Sequence, residues 1–159
     1  MRPTRSTSPS SSPQRSRRPS VDDETLTHRL GEILGRVPTF AWRPGENDPA
    51  PTPREVAVMY GKLRDAPDRG IGISVYNSLD EPDVLKRRVQ FHIRGERLQP
   101  FGADRIAGVV FAVLEGRLRG GGISSIVRQS FTRLGADANG REQRTENYLI
   151  TLDNLEALL

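Results

Sequence analysis

Apolar residues recur along this chain with two periods, and each change of period marks an element. Leu26, Leu30, Ile33 and Leu34 fall at i, i+4, i+7 and i+8, one stripe of a helix. The spacing predicts a helix over Asp22–Gly35. Asp22, Asp23 and Glu24 crowd its start, where the helix dipole favours them, and Gly35 supplies a stop. Further on the period drops to two. Ile71, Ile73 and Val75 alternate with Gly72, Ser74 and Tyr76; Val89, Phe91 and Ile93 alternate with Arg88, Gln90, His92 and Arg94. These are two half-buried strands, antiparallel neighbours joined by the polar Asn77–Asp83 stretch with its Pro82. The helical period returns in Ile106, Val110, Val113 and Leu114, widened by Ala107 and Val109. It predicts a helix over Phe101–Leu118 lying flat on a sheet, with Pro100 and Asp104 suited to its start and Gly120–Gly122 ending it.

Ile123–Phe131 and Asn147–Asp153 read as two more strands. Ile123, Val127 and Phe131 would share one face; so would Tyr148, Ile150 and Leu152. Between these arms lies the polar Gly135–Gly140 turn, where Asn139 and Gly140 both tolerate positive φ. Two stretches carry a weaker pattern. Val37–Pro53, rich in Pro and Gly and holding the lone Trp42, reads as an irregular connection; Arg54–Arg64 has apolar positions enough for a short helix. The predicted fold is α+β: a mainly antiparallel four-stranded sheet, order α-β-β-α-β-β, with helices mostly on one face. Residues 21–159 would form one domain, with an N-terminal helix over 21–35, a connection over 37–53 and a core over 66–153.

Charge changes the picture at one end. Of 24 basic residues, Arg2, Arg5, Arg15, Arg17 and Arg18 lie in residues 1–20, which hold no acid. The remaining 19 basic and 20 acidic residues leave the body at −1, so the net +4 belongs to the tail. Residues 1–20 are Ser, Pro, Arg and Thr almost throughout, and such a composition cannot bury a core. They read as a solvated, disordered extension or as a basic arm for nucleic acid. A transit peptide would need Leu or Phe at helical spacing, which the segment lacks. The longest apolar run, Val109–Leu114, is too short to span a bilayer, and no membrane role is expected.

Composition also restricts the chemistry. The 159 residues include no Cys and two His, His28 and His92, too few for a zinc site of the usual kind. Gly120–Gly122 precedes a strand, whereas a phosphate cradle precedes a helix. Ser124, Ser125 and Ser130 lack the setting of a nucleophile elbow. Asp80, Glu81 and Asp83 lack the ligand alternation of a calcium loop and read as an exposed acidic loop. His92, between Arg88, Gln90 and Arg94 on the polar side of its strand, reads as solvated or subunit-facing. The basic run Arg87, Arg88, Arg94 and Arg97 lacks aromatics on its own face for base stacking. No enzyme and no cofactor is expected.

Three segments resemble a known family. Ala66-Pro-Asp-Arg-Gly-Ile-Gly-Ile-Ser-Val-Tyr76 is similar to the first strand of the tail terminator proteins of long-tailed bacteriophages, also called minor capsid proteins. Arg88-Val-Gln-Phe-His-Ile-Arg-Gly95 resembles their second strand. Arg128-Gln-Ser130, Leu134-Gly-Ala-Asp-Ala-Asn-Gly-Arg141 and Glu146-Asn-Tyr148 resemble their closing hairpin, and the helix Phe101–Leu118 falls where the family has one. The resemblance covers about Ala66–Asp153 and leaves out the Arg/Ser/Pro tail. It implies a virion protein of the tail or neck, assembled in the host cytoplasm. Such a protein forms a homo-oligomer, a hexameric ring, that caps the tail tube protein and ends its polymerisation. It presents a joint to the head-completion or stopper protein, and DNA passes through its lumen without sequence-specific binding. On this reading the subunit and partner contacts are Asn77, Asp80, Glu81, Asp83, Arg88, Arg94, Gly135, Asp137, Asn139, Gly140 and Arg141. The other expectation is an accessory protein that binds nucleic acid through its basic tail.

Overall fold

The computed structural model describes residues 22–116 and 120–153. The basic extension over 1–20, and Leu118 at the expected end of the second helix, lie outside the described residues.

Helix α1 runs over Asp23–Gly35. Asp22 caps it, its side chain accepting the Thr25 N–H at 2.7 Å, which satisfies one of the orphan donors at a helix start. Leu26, Leu30 and Leu34 point fully into the core. A side chain at Gly31 would begin 2.4 Å from the Trp42 ring, so only glycine lets that indole lie against the helix.

Trp42 ends a short strand, β1 (Phe40–Trp42), inside the stretch expected to be irregular. The next element corrects the sequence reading more sharply. Val56–Tyr60, expected to be helical, is strand β2. Val56, Ala57 and Val58 are all buried, so both faces are covered and no alternation shows. A run of that kind looks alike in a buried strand and a buried helix turn. Strands β1 and β2 pair in parallel, and β2 pairs in parallel with β3 (Gly70–Glu81) through Ala57↔Gly70 to Tyr60↔Ile73.

The rest is antiparallel. Strand β3 pairs with β4 (Val84–Arg97), β4 with β6 (Arg141–Leu152), and β6 with β5 (Ile123–Ala136). The sheet therefore has six strands in the order β1-β2-β3-β4-β6-β5, mixed at one end, in place of four antiparallel ones. Helix α2 (Gly102–Leu114) is shorter than expected; Glu115 leaves the helix with extended backbone. The α+β class stands, and both helices cover one sheet face over a core of Ile71, Ile73, Val89, Phe91, Ile93, Tyr148 and Ile150. Phe91 and Tyr148 meet edge to face with centroids 5.3 Å apart, a favoured aromatic geometry.

Three register shifts along β5, at Ile123/Ser125, Arg128/Ser130 and Arg133/Gly135, break its period. Each bulge adds a residue and flips the facing of the residues beyond it. Ile123 and Ile126 therefore face the core while Val127, paired with Leu149, faces the other way. The expected shared face of Ile123, Val127 and Phe131 does not form.

Candidate functional site

The helix-free face of the sheet is polar and built of cross-strand ladders. Gln90 Nε2 donates to Asn147 Oδ1 at 3.2 Å, and Asn147 Nδ2 donates to the Ser130 hydroxyl at 3.0 Å. His92 Nε2 lies 2.6 Å from Gln143 Oε1. That contact occupies one of the two ring nitrogens. Arg88 lies half-buried on this face, its Nε without a hydrogen-bond partner among the described residues.

One end of this face is crossed by the connection between β2 and β3, over 61–69. A parallel crossover of this length carries no helix, so its backbone carbonyls need partners from elsewhere. Arg94 supplies them. Its Nε donates to Asp68 O at 2.7 Å, and its Nη2 to Arg64 O at 2.6 Å and Pro67 O at 2.9 Å. Burial, and then the nearby Arg141 guanidinium, pull the Arg94 pKa below its ordinary value. Five donors in a planar fork make arginine suited to several acceptors at once.

Arg141, 3% exposed, is the second clamp. Its Nε donates to Asp137 Oδ2 at 2.8 Å, its Nη1 to Asp65 O at 2.7 Å, and its Nη2 to Asp65 Oδ1 at 3.1 Å. Asp68 Oδ1 completes the set at 3.3 Å from Nη1. Asp137 in turn organises the turn from within. Its Oδ1 accepts from the N–H groups of Asn139 at 2.9 Å and Arg141 at 3.0 Å. The Arg141 backbone N–H has the largest effect on the Asp137 carboxyl and lowers its pKa; burial opposes it, and the Arg141 side chain and the Asn139 N–H add to the lowering. Gly140 donates to Asp137 O at 3.0 Å and accepts from Leu98 N–H at 3.0 Å. Gly140 has φ +73, while Asn139 is absent from the positive-φ positions; only the glycine uses the left-handed freedom expected of both. Gly135 sits at positive φ beside the third bulge of β5.

Apart from Arg88, half-buried in mid-strand, the expected contact residues therefore separate into two groups. Arg94, Asp137 and Arg141 meet in one internal lock, with Gly140 at its edge. Asn77, Asp80, Glu81 and Asp83 lie at the far end of the molecule. That segment is not a loop: β3 runs unbroken to Glu81, which pairs with Val84 across a Pro82–Asp83 turn. Its side chains are exposed, and Arg87 binds Asp80 and, at 3.0 Å, Asp23 of α1.

A third cluster was not singled out by sequence. On the helix side of β5, the Arg144 guanidinium lies 3.9 Å from the Phe131 ring centroid and bonds Asp104 at 2.9 Å and Glu146 at 2.7 Å. Burial works against ionisation of Asp104, but hydrogen bonds from Arg144 and Arg133 outweigh it and set its pKa below the ordinary value. Glu146 is fully buried, and Arg128 approaches it at 3.5 Å. The sequence period gives no signal for this cluster, because the bulges of β5 hide which face Arg128 and Arg133 take.

A cleft of about 1060 Å³ opens between α1, β2 and the 43–53 connection, with His28, Trp42, Arg43 and Tyr60 in its wall. Its Arg43 is already paired with Glu55 at 2.8 Å. Among the described residues no cluster of three or more His, Asp or Glu could hold a metal ion, and no helix is long and apolar enough to cross a membrane.

No protein-family model matches the chain, and no curated protein matches it. Among solved structures the chain is similar to one in "Virion of native gene transfer agent (GTA) particle". That likeness has 10% sequence identity and a TM-score of 0.45, over 60% of this chain and 78% of that one. It is remote and carries no functional argument.

Proposed function

We propose that this chain is a structural, non-catalytic protein of a phage-type virion, acting at the tail end. It would assemble as a ring that caps the tail tube, stops its growth and offers a joint to the head-completion proteins. One observation carries the reading. The three segments that resemble the tail terminators are far apart in sequence, yet residues from all three meet. Pro67 and Asp68 of the first segment are gripped by Arg94 of the second and by Arg141 of the third, beside Asp137 and Gly140. Residues of a shared pattern that build one lock have a common structural reason to occur together. The remaining surface suits assembly: long strands carry half-buried polar ladders, and the cleft beside α1 has its Arg43 already paired with Glu55.

The test is electron microscopy of particles produced without this protein. Heads lacking attached tails, with free tails of uncontrolled length, are expected. Normal joined tails of uniform length would overturn the reading.

A further inference from the structure

The sheet has two unequal open edges, and together they describe a contact between copies. Strand β2 pairs with β3 only as far as Ile73, whose carbonyl accepts from Gly61 N–H at 2.8 Å. From Ser74 to Glu81 the outer backbone edge of β3 has no partner among the described residues. At the opposite side of the sheet, β5 is the terminal strand. Its first half is covered: Gly116 N–H donates to Ile126 O at 3.3 Å, and Glu115 Oε2 accepts from Arg128 N–H at 2.8 Å. Beyond that cover, Gln129–Ala136 has strand partners among the described residues on the β6 side only. The two free stretches are equal in length.

Unpaired edges of this kind are templates for pairing with another chain. Side chains say which chain. Tyr76 and Leu79 on β3, and Val127, Phe131 and Leu134 on β5, are among the large apolar side chains left exposed, between 37% and 53%. The charges are opposite. Strand β5 carries Arg128 and Arg133 and no acid; β3 carries Asp80 and Glu81 and no base. Asp80 and Arg133 both lie on the helix side of the sheet, since Arg87 joins Asp80 to α1 and Arg133 bonds Asp104 of α2 at 3.3 Å. Pairing β5 with β5 would set arginines against arginines, and β3 with β3 would set acids against acids.

The geometry points to head-to-tail pairing between copies of this chain: the β3 edge Ser74–Glu81 of one copy adds to the β5 edge Gln129–Ala136 of the next. The six-stranded sheet continues across the boundary with the two strands antiparallel, and the register that sets Asp80 of one copy opposite Arg133 of the other pairs Asn77–Glu81 with Thr132–Ala136. The contact is heterologous, so it closes into a ring when the rotation per copy allows. Its biological setting rests on the proposed virion role, but its test does not.

The experiment is sedimentation of the full chain over a concentration series, wild type against Asp80→Arg, Arg133→Glu and the two combined in one chain. The wild type is expected to self-associate. Each single reversal places like charges at every boundary and should weaken association at least about tenfold. The combined variant restores an opposite pair and should regain it. Leu79→Lys, which touches neither ion pair, blunts the β3 edge and should weaken association as well. Unfolding curves identify any variant that has lost its fold. A wild type that stays monomeric throughout, single reversals that associate like the wild type, or a combined variant that fails to recover would each overturn the pairing. A virion role would survive that result, because particles lacking the protein test it separately.

Discussion

The molecule has two long hairpins, and their turns are built in opposite ways. The β5–β6 turn is tied to its own chain: Asp137 holds three donors of Asn139 and Arg141, and Arg141 reaches across to Asp65 and Asp68. The β3–β4 turn at Pro82–Asp83 is a two-residue link with exposed side chains over Tyr76–Asp83 and half-buried ones over Val84–Arg88. A polar loop in sequence is thus no guide to which turn is free to meet a partner. A turn that satisfies its polar groups internally has little left to offer; at the other end Asn77, Glu81 and Asp83 stay exposed, while Asp80 is held by Arg87.

The largest effect that would break this contrast is at Arg141. Arg141→Ala removes every bond between the β5–β6 turn and the 61–69 crossover. It should cost about 1.5–3 kcal/mol, the range for hydrogen bonds to charged groups, read by denaturant unfolding. Gly140→Ala comes next, at about 1–2 kcal/mol, because φ +73 is a left-handed conformation that an L side chain resists. Asp137→Asn sharpens the electrostatic side. The depressed Asp137 pKa means that its contribution to stability is present above the unfolded carboxylate value, about 3.9, and is lost as pH falls through the lower folded value. The variant should therefore be less stable than the wild type at neutral pH, with a smaller loss of stability on acidification. The smallest effect is expected at the other turn. Asp83→Ala should change stability by no more than about 0.5 kcal/mol, as for an ordinary surface position. A large loss there would show that the contrast between the turns is mistaken.

Much of this fold is legible in the sequence. The stripe Leu26–Leu30–Leu34, the alternation around Ile71 and Phe91, and the face Ile106–Val110–Leu114 each have a period that burial imposes. The elements that escape have a physical reason in each case. Val56–Tyr60 is covered on both sides, so alternation is erased. Phe40–Trp42 is too short to show a period. Along β5, bulges shift the face midway, so Val127 turns outward where strict alternation turns it in. The lock escapes for a different reason. Charge argues for the surface, and nothing local tells that Arg94 and Arg141 face unpaired carbonyls contributed from 64–68. The turn chemistry at Asp137–Gly140 is readable because its partners are close in sequence.

The contrast between the turns gives the central claim a direct test in assembled particles. Leu79–Lys86 is replaced by a short hairpin turn that shortens β3 and β4 and leaves the Arg94–Arg141 lock intact. The shortened chain is supplied to particles that lack their own copy, and tails are examined by electron microscopy. The account predicts a chain that unfolds like the wild type yet leaves heads without tails. Joined tails of uniform length, made with the shortened chain, would contradict it.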